Sequence, residues 1–139
     1  MAEPELGPAK VVFACVANAG RSQMAAAFFN ALADPKRAYA VSAGTHPADA
    51  VHPEVLNVMA EAGIDLSQAK PQYLSTDLCK DAHILITMGC GDECPLIPGL
   101  ERDDWPLEDP KGQPIERVRQ IRDEIKKCVA ALIEERKWR

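Results

Sequence analysis

The residues that most constrain the fold of this chain are 15–22, which read Cys-Val-Ala-Asn-Ala-Gly-Arg-Ser. The short apolar run 11–14 before them predicts a buried strand, and residues 23–32 after them predict a helix. The segment is therefore a loop that joins a strand to a helix N-terminus. Such a loop has unpaired backbone N–H groups and lies at the positive end of the helix dipole, so it predicts a binding site for an anion.

A cysteine and an arginine stand at opposite ends of this loop. Cys15 would share the positive field of the site with the guanidinium of Arg21, and thiols in such surroundings become nucleophilic thiolates. A thiolate and a tetrahedral oxyanion in one loop predict attack by sulfur on the central atom of the anion. The alternative is a buried structural cysteine in an ordinary turn. The combination of Cys, Arg and Ser with Asn18 and Gly20, which can take left-handed backbone angles, favours the functional interpretation.

The composition limits the size of the protein and its partners. The chain has 139 residues, 47% of them hydrophobic, which suits one domain with a proper core. We expect residues 10–139 to form that domain and residues 1–9, which are polar and Pro-rich, to form a disordered tail. The net charge of −5 argues against a nucleic-acid partner, since binding phosphates needs a basic face. Local donors rather than the overall charge must therefore attract an anion.

The sequence also indicates where the protein works. No apolar run approaches the roughly 20 residues of a membrane span, and the first ten residues do not have the pattern of a signal peptide. The five cysteines are an odd number, which favours reduced thiols in the cytoplasm over a disulfide framework.

Strand and helix patterns alternate along the chain. Strands are predicted at 10–14, 39–41 and 82–87, with a weak fourth around Trp105, and helices at 22–33, 53–62 and 75–81 and from Pro114 onward. Ser75 is a predicted helix cap, and Gly63 a predicted helix end. The last helix has an apolar stripe made of Ile115, Val118, Ile121, Ile125, Cys128, Val129 and Leu132. The alternation predicts an α/β fold with a parallel sheet, whose ligand site lies beyond the carboxyl ends of the strands. The loops that contain Cys15, Ser42, Cys90 and Asp109 would then share one edge.

Several motifs resemble those of the low-molecular-weight protein tyrosine phosphatase family, and in particular its phosphatase-like arsenate reductases. The motifs are Cys-x5-Arg-Ser (15–22), Arg-Ser-Gln-Met-Ala (21–25), Ser-Ala-Gly-Thr (42–45), Gly-Ile-Asp-Leu-Ser (63–67), Gly-Cys-Gly-Asp-Glu-Cys-Pro (89–95) and Trp-Pro-Leu-Glu-Asp-Pro-Lys-Gly (105–112). The resemblance implies a four-stranded parallel sheet flanked by helices in a three-layer sandwich. It also implies that a cytoplasmic detoxification enzyme reduces arsenate to arsenite with electrons from a thiol system.

The resemblance and the chemistry of the side chains together assign roles to the loop. Cys15 is the expected nucleophile, and the planar guanidinium of Arg21 is expected to donate to two oxyanion oxygens. The expected binding residues for arsenate, or for phosphate or sulfate as analogues, are Val16, Ala17, Asn18, Ala19, Gly20, Arg21 and Ser22. Among these, Asn18 would fix the loop shape and Ser22 would hydrogen-bond the thiolate. Asp109 is the expected general acid, although Asp-Pro alone is compatible with a simple turn.

Cys90 and Cys94 are the expected thiol relay. Cys90 would attack the sulfur of Cys15 and expel arsenite, after which Cys94 would attack Cys90 and leave a disulfide for thioredoxin to reduce. The alternative electron donor is mycothiol, or glutathione with a glutaredoxin, acting directly on the Cys15 adduct. No bound cofactor is expected.

No metal is expected either. Some members of the family bind potassium beside the loop through an acidic residue, whose position is Ala26 here. A zinc site made of Cys79, His83, Cys90 and Cys94 lacks the spacing of common zinc modules.

Two other functions are compatible with the same residues. One is a protein tyrosine phosphatase that uses Cys15, Arg21 and Asp109; the lack of aromatic residues after Asp109-Pro110 argues against it. The other is a non-catalytic oxyanion-binding protein, against which the intact catalytic set argues. Other polar residues are expected to have no part in the chemistry of the site. We expect Cys79 and Cys128 to be packed thiols and His46 and His52 to make loop or substrate contacts. Asp103, Asp104 and Glu108 are expected to be solvated carboxylates.

Overall fold

Parallel strands form the middle layer of the protein, whose computed structural model describes residues 7–89 and 97–139. The strands of these residues are β1 (Ala9–Cys15), β2 (Ala38–Gly44), β3 (Ile84–Thr87) and β4 (Glu101–Asp104). They form one parallel four-stranded sheet in the order β2-β1-β3-β4, as predicted. The chain goes from β1 to β2 on one side and then to β3 on the other. The carboxyl ends of β1 and β3 therefore flank the point where open α/β sheets bind ligands.

The helices of the described residues are α1 (Arg21–Leu32), α2 (Pro53–Glu61), α3 (Thr76–Cys79) and α4 (Ile115–Arg136). The ends of these helices lie where the sequence predicts helix starts and stops. Pro53 opens α2, where its fixed φ suits the first turn, and Gly63 takes φ +84° just after that helix. The Ser75 hydroxyl accepts a hydrogen bond of 3.1 Å from the Leu78 N–H, as expected for an N-cap. No helix in 7–89 or 97–139 is both long enough and apolar enough to cross a membrane.

Both faces of the sheet are covered, which explains the continuous apolar run in β1. Alternate residues of a strand point to opposite faces, and the two faces of β1 belong to separate cores. Val11, Phe13 and Cys15 pack in a large core with residues of α1, α2 and α4. Val12 and Ala14 pack in a smaller one with Leu74, Cys79 and Leu85. This is the expected three-layer arrangement, and it holds Cys15 rigidly at the end of a buried strand.

The fourth strand lies earlier than the sequence predicts. The prediction centres it on Trp105, whereas β4 ends at Asp104 and its four side chains are exposed and charged. An edge strand can form through backbone pairing with its neighbour, here β3, without an apolar pattern. Trp105 directly follows the strand: its backbone N–H still donates to Thr87 O of β3 at 2.8 Å, and its ring packs on Phe13 with centroids 5.5 Å apart.

Other boundaries also shift slightly. The apolar stripe of α4 begins at Val118, since Ile115 is 38% exposed. β1 begins at Ala9, one residue before the predicted strand, and the Ala9 N–H donates to Arg37 O at 2.8 Å. Residues 1–6 lie outside the described residues, and the disordered tail stays a prediction.

Candidate active site

Cys15 is the last residue of β1, and it is almost completely buried, with 2% of its surface exposed. Its Sγ lies 2.8 Å from the Oγ of Ser22, in the first turn of α1. The strand thus ends where the helix begins, with the thiol between them. The expected contact between Ser22 and the thiol is present.

The Ser22 hydroxyl that contacts the sulfur is itself bonded to Asn18. The Oδ1 of Asn18 accepts from the backbone N–H of Gln72 at 2.9 Å, and a backbone N–H can only donate. The amide is therefore oriented with Nδ2 toward Ser22, where it donates to Oγ at 2.8 Å. A hydroxyl oxygen can accept two hydrogen bonds, so either atom of the Ser22–Cys15 pair can donate while Cys15 is a thiol; a thiolate has no proton, and Ser22 is then the donor. In that state the chain Gln72, Asn18, Ser22 and Cys15 ends in a donor aimed at sulfur, which stabilises the thiolate.

The loop backbone presents its carbonyl groups on one side. The carbonyl oxygens of Cys15, Val16, Ala17 and Ala19 accept from the N–H groups of Thr45, His46, Ala48 and His52, at 3.1, 2.8, 2.9 and 3.1 Å respectively. In a planar trans peptide the N–H points away from the carbonyl, so the next N–H along the chain faces the other side of the loop. No side chain of the described residues caps the start of α1. This arrangement is typical of an anion-binding nest.

The left-handed residue of the loop is Asn18, at φ +52°, where Asn is tolerated better than most residues. Gly20 was expected to share this property, but it has φ −141°. Position 20 favours glycine because of close packing: a Cβ there would lie 2.9 Å from Cγ of the buried Pro110. The residue that follows the expected general acid therefore touches the anion loop.

Arg21 reaches across to the loop of residues 105–112, which we call the Asp109 loop. Its Nη1 donates to Leu107 O at 3.1 Å, and its Nη2 lies 3.7 Å from Oδ2 of Asp109. The Arg21 side chain is 9% exposed and that of Asp109 is 56% exposed. A buried cation thus faces a carboxylate at the mouth of the site, as the sequence predicts for these two residues.

Gly89, just after β3, leaves room for this arginine. It has φ +98°, and a Cβ on it would lie 2.3 Å from Nη1 of Arg21. The loop after β1, the segment after β2, Gly89 after β3 and the Asp109 loop therefore meet at one edge of the sheet, although Ser42, predicted to lie in a loop, is inside β2. Cys90 and Cys94 lie outside the described residues, so their place in the relay stays a prediction.

Three polar residues of the site were missed by the sequence analysis. Gln23 donates from Nε2 to Asn18 O at 3.0 Å and to Lys70 O at 3.3 Å. Gln72 orients Asn18 and donates from its side chain to Ser42 O at 2.8 Å. Glu108, expected to be a solvated carboxylate, accepts from Nε and Nη2 of Arg117 at 2.8 and 2.6 Å. Gln23 and Asn18 are only five positions apart, whereas the contacts of Gln23 with Lys70 and of Gln72 with Ser42 join distant segments, which nothing local in the sequence indicates.

Two other carboxylates predicted to be solvated also have partners. Asp104 is hydrogen-bonded to the buried hydroxyl of Thr87, and Asp103 accepts from the indole N–H of Trp105 at 3.3 Å. These contacts tie β4 and Trp105 to the end of β3. Among the histidines, His46 and His52 support the Cys15 loop through their backbone N–H groups.

The remaining described cysteines are in environments that disfavour a thiolate. Burial raises the pKa of the Cys79 thiol, although the charge of Lys10 partly opposes this. Burial, followed by the charge of Glu124, also raises the pKa of Cys128, which is half-buried rather than fully packed. No group of His, Cys, Asp and Glu able to hold a metal is found among residues 7–89 and 97–139.

The sequence matches a known family over almost its full length. The model of the family described as low molecular weight phosphotyrosine protein phosphatase matches residues 10–138. The chain belongs to this family. A family member from Halobacterium salinarum, described as a putative arsenate reductase, is 43% identical over 130 residues, which are 91% of this chain and 92% of that protein.

Solved structures of the phosphatase family have the same fold. The thioredoxin-dependent arsenate reductase of Corynebacterium glutamicum superposes with a TM-score of 0.79 and 38% identity over 92% of this chain, which spans 61% of the corynebacterial chain. An arginine phosphatase from Geobacillus stearothermophilus superposes with a TM-score of 0.77 and 26% identity, covering 94% of each chain. The family therefore includes both reductases and phosphatases on this scaffold.

Proposed function

We propose that this protein is an arsenate reductase in which Cys15 is the nucleophile. The observation that carries the proposal is the buried Cys15 thiol with the Ser22 hydroxyl 2.8 Å away, at the start of a loop whose peptide N–H groups face away from its bonded carbonyls. The 43% identity to a relative described as a putative arsenate reductase supports arsenate as the oxyanion.

The first step forms a bond between sulfur and arsenic. The Cys15 thiolate attacks arsenate, the bond from arsenic to one of its hydroxyl groups breaks, and the departing hydroxyl takes a proton from the Asp109 carboxyl and leaves as water. Arg21 and the loop N–H groups stabilise the charge on the remaining oxygens. The 3.7 Å between Asp109 and Arg21 supports a position for the acid at the edge of the anion site.

The second step reduces arsenic. The Cys90 thiolate attacks the sulfur of Cys15, the S–As bond breaks, and its electron pair stays on arsenic. Arsenic leaves as arsenite, and Cys15 and Cys90 become a disulfide. Cys94 then attacks Cys90 and restores the Cys15 thiolate. This step rests on the sequence of residues 89–95 and on the chemistry of thiol–disulfide exchange.

The proposed electron donor is thioredoxin, which would reduce the Cys90–Cys94 disulfide. The likeness to a reductase described as thioredoxin-dependent supports this choice. A direct attack on the Cys15 adduct by mycothiol or glutathione is the alternative, and it would make Cys94 dispensable.

A single-turnover assay tests the proposal. Reduced protein is mixed with arsenate without a donor, and arsenite is quantified. The wild type should form about one arsenite per chain, whereas Cys15→Ser should fall to the background without protein, because its hydroxyl is not ionised near neutral pH. Cys128→Ser is the matched control, since it removes a half-buried thiol from α4, and it should react like the wild type. Arsenite formation by a folded Cys15→Ser protein would exclude Cys15 as the nucleophile.

The same preparations separate the rival functions. Turnover of para-nitrophenyl phosphate without arsenite formation, also after addition of mycothiol or glutathione, would indicate a phosphatase, and neither reaction under these conditions would indicate an oxyanion-binding protein. Steady-state reduction with thioredoxin, thioredoxin reductase and NADPH identifies the donor. If Cys94→Ser accumulates a Cys15–Cys90 disulfide after one turnover, the proposed order of the relay is supported.

A further inference from the structure

A partly exposed ion pair joins Glu108 of the Asp109 loop to Arg117 of α4. Glu108, the neighbour of Asp109, accepts two hydrogen bonds from the Arg117 guanidinium, from Nε at 2.8 Å and from Nη2 at 2.6 Å. Their side chains are 38% and 33% exposed. The Nη1 of the same guanidinium donates to Gln120 Oε1 at 2.8 Å and to Glu124 Oε1 at 3.3 Å. The Arg117 guanidinium therefore contacts two residues of its own helix as well as Glu108 of the loop.

The other described contacts fix the loop before Glu108, where Trp105 and Leu107 pack against the large core, and after Asp109. On one side, Leu107 O binds Arg21, and on the other, Pro110 packs against Gly20. Among residues 7–89 and 97–139, the contacts of the Asp109 carboxyl are a local one, with Oδ1 accepting from Lys111 N at 3.0 Å, and a longer one of 3.7 Å to Arg21. A side chain that is 56% exposed has many orientations available, so its direction depends on how firmly the adjacent backbone is fixed.

We infer that Arg117 is a positioning residue for Asp109, acting through Glu108. By anchoring Glu108 to the first turn of α4, Arg117 fixes the backbone on the N-terminal side of Asp109 and keeps its carboxyl at the mouth of the Cys15 loop. The inference deepens the proposed function, since it rests on Asp109 acting as the general acid. A residue in this role should affect the rate of the chemical step more than the binding of the oxyanion.

Arg117→Ala is the test variant, and Arg119→Ala is its matched control. Arg119 lies on the same helix and is 42% exposed. It forms a bidentate ion pair with Glu61 of α2, whereas Arg117 binds the loop. We expect Arg117→Ala to lower kcat for arsenate about three- to tenfold with an unchanged KM, and Arg119→Ala to stay within about twofold. Arg117→Lys should recover part of the loss. Wild-type kcat in a folded Arg117→Ala protein would overturn the inference.

A double-mutant cycle separates positioning from general structural damage. If Arg117 acts through Asp109, then Arg117→Ala should have little further effect in an Asp109→Asn background, where the acid is already lost. An equal slowing by Arg117→Ala in both backgrounds would overturn the inference even if the single variant is slow.

Hydrogen exchange gives a result that does not depend on the reaction. Peptides covering residues 105–113 should take up deuterium faster in Arg117→Ala than in the wild type, whereas Arg119→Ala should not change them. If the wild type fails to reduce arsenate, the proposed function fails, and the exchange experiment still decides whether Arg117 fixes the loop. Unchanged exchange in Arg117→Ala would overturn the anchoring role whatever the activity is.

Discussion

At Asn18, one residue controls both the shape of the loop and the hydrogen bond to the thiol. Its backbone takes φ +52°, and its side-chain amide, fixed by Gln72 N–H, donates to Ser22. Substitution by alanine would change both properties, because alanine in a left-handed conformation costs about 1–2 kcal/mol. Glycine accepts that conformation, so Asn18→Gly isolates the role of the amide.

We predict that Asn18→Gly lowers the nucleophilicity of Cys15 with little change in fold. Without Nδ2, the Ser22 hydroxyl loses the partner that holds it in place as a donor to the thiolate. Alkylation of Cys15 by iodoacetamide at neutral pH, followed by mass spectrometry of its peptide, should slow severalfold. The control is Asn30→Ala, which removes two hydrogen bonds between α1 and Ala40 without touching the Cys15 loop. Equal alkylation rates in Asn18→Gly and the wild type would contradict a role of the Asn18 amide in stabilising the thiolate.

Gly89 gives a second prediction at the level of a single residue. Gly89→Ala would place a Cβ 2.3 Å from Nη1 of Arg21, so the guanidinium must move. Losing a charge-assisted hydrogen bond costs about 1.5–3 kcal/mol, and phosphate affinity measured by calorimetry should therefore fall about tenfold or more.

Gly99→Ala is the matched control for Gly89→Ala. Gly99 also has a positive φ, of +82°, but no atom of the described residues lies within 4 Å of the position that a Cβ would take. Both variants should lose stability through backbone strain, and only Gly89→Ala should lose phosphate binding. Equal phosphate affinities in the two variants would mean that Arg21 does not need this space.

At the level of secondary-structure elements, the sequence predicted those helices and strands that are specified by residues within or next to them. The apolar run in β1, Pro53 at the start of α2 and the cap at Ser75 all stand next to the elements that they specify. The sequence Cys-x5-Arg-Ser also predicted the strand, loop and helix that make the anion site. β4 was misplaced because its exposed residues Glu101–Asp104 have no apolar pattern, and its pairing with β3 decides its position.

Contacts between distant segments were beyond sequence reasoning. Glu108 and Arg117 are nine positions apart, with the end of the loop and a helix start between them, and each alone is typical of a solvated charge. Gln72 and Asn18 are 54 positions apart. Similarly, glycine at position 20 suggested a left-handed backbone, whereas the fold requires space for Pro110. The roles of such residues depend on which elements the fold brings together.

At the level of the whole molecule, an acidic protein with a net charge of −5 has a site suited to anions. Peptide dipoles, a helix N-terminus and one buried arginine can achieve this locally, because their field is strong only within the site. The acidic surface is in turn organised by ion pairs that link helices, among which Glu61 of α2 binds both Arg119 and Arg122 of α4.

Glu61 makes the stability of the protein sensitive to acid. The hydrogen bond from Arg119 is the largest cause that holds the pKa of Glu61 below its ordinary value of 4.5; burial opposes it, and the charge of Arg119 and the hydrogen bond and charge of Arg122 add to it. A carboxyl with a lower pKa in the folded state contributes stability at pH values above its unfolded pKa. This contribution is lost as the pH falls through the folded pKa.

We therefore predict that Glu61→Gln is less stable than the wild type at pH 7 and that the difference disappears as the pH falls below about 4.5. Urea unfolding at a series of pH values measures this: the urea midpoints of the wild type and of Glu61→Gln should converge as the pH falls. High salt should reduce the difference at pH 7, because the pair is partly exposed to solvent and its charges are screened. A difference that stays constant from pH 7 to pH 3 would mean that Glu61 stabilises the contact between α2 and α4 by packing rather than by its charge.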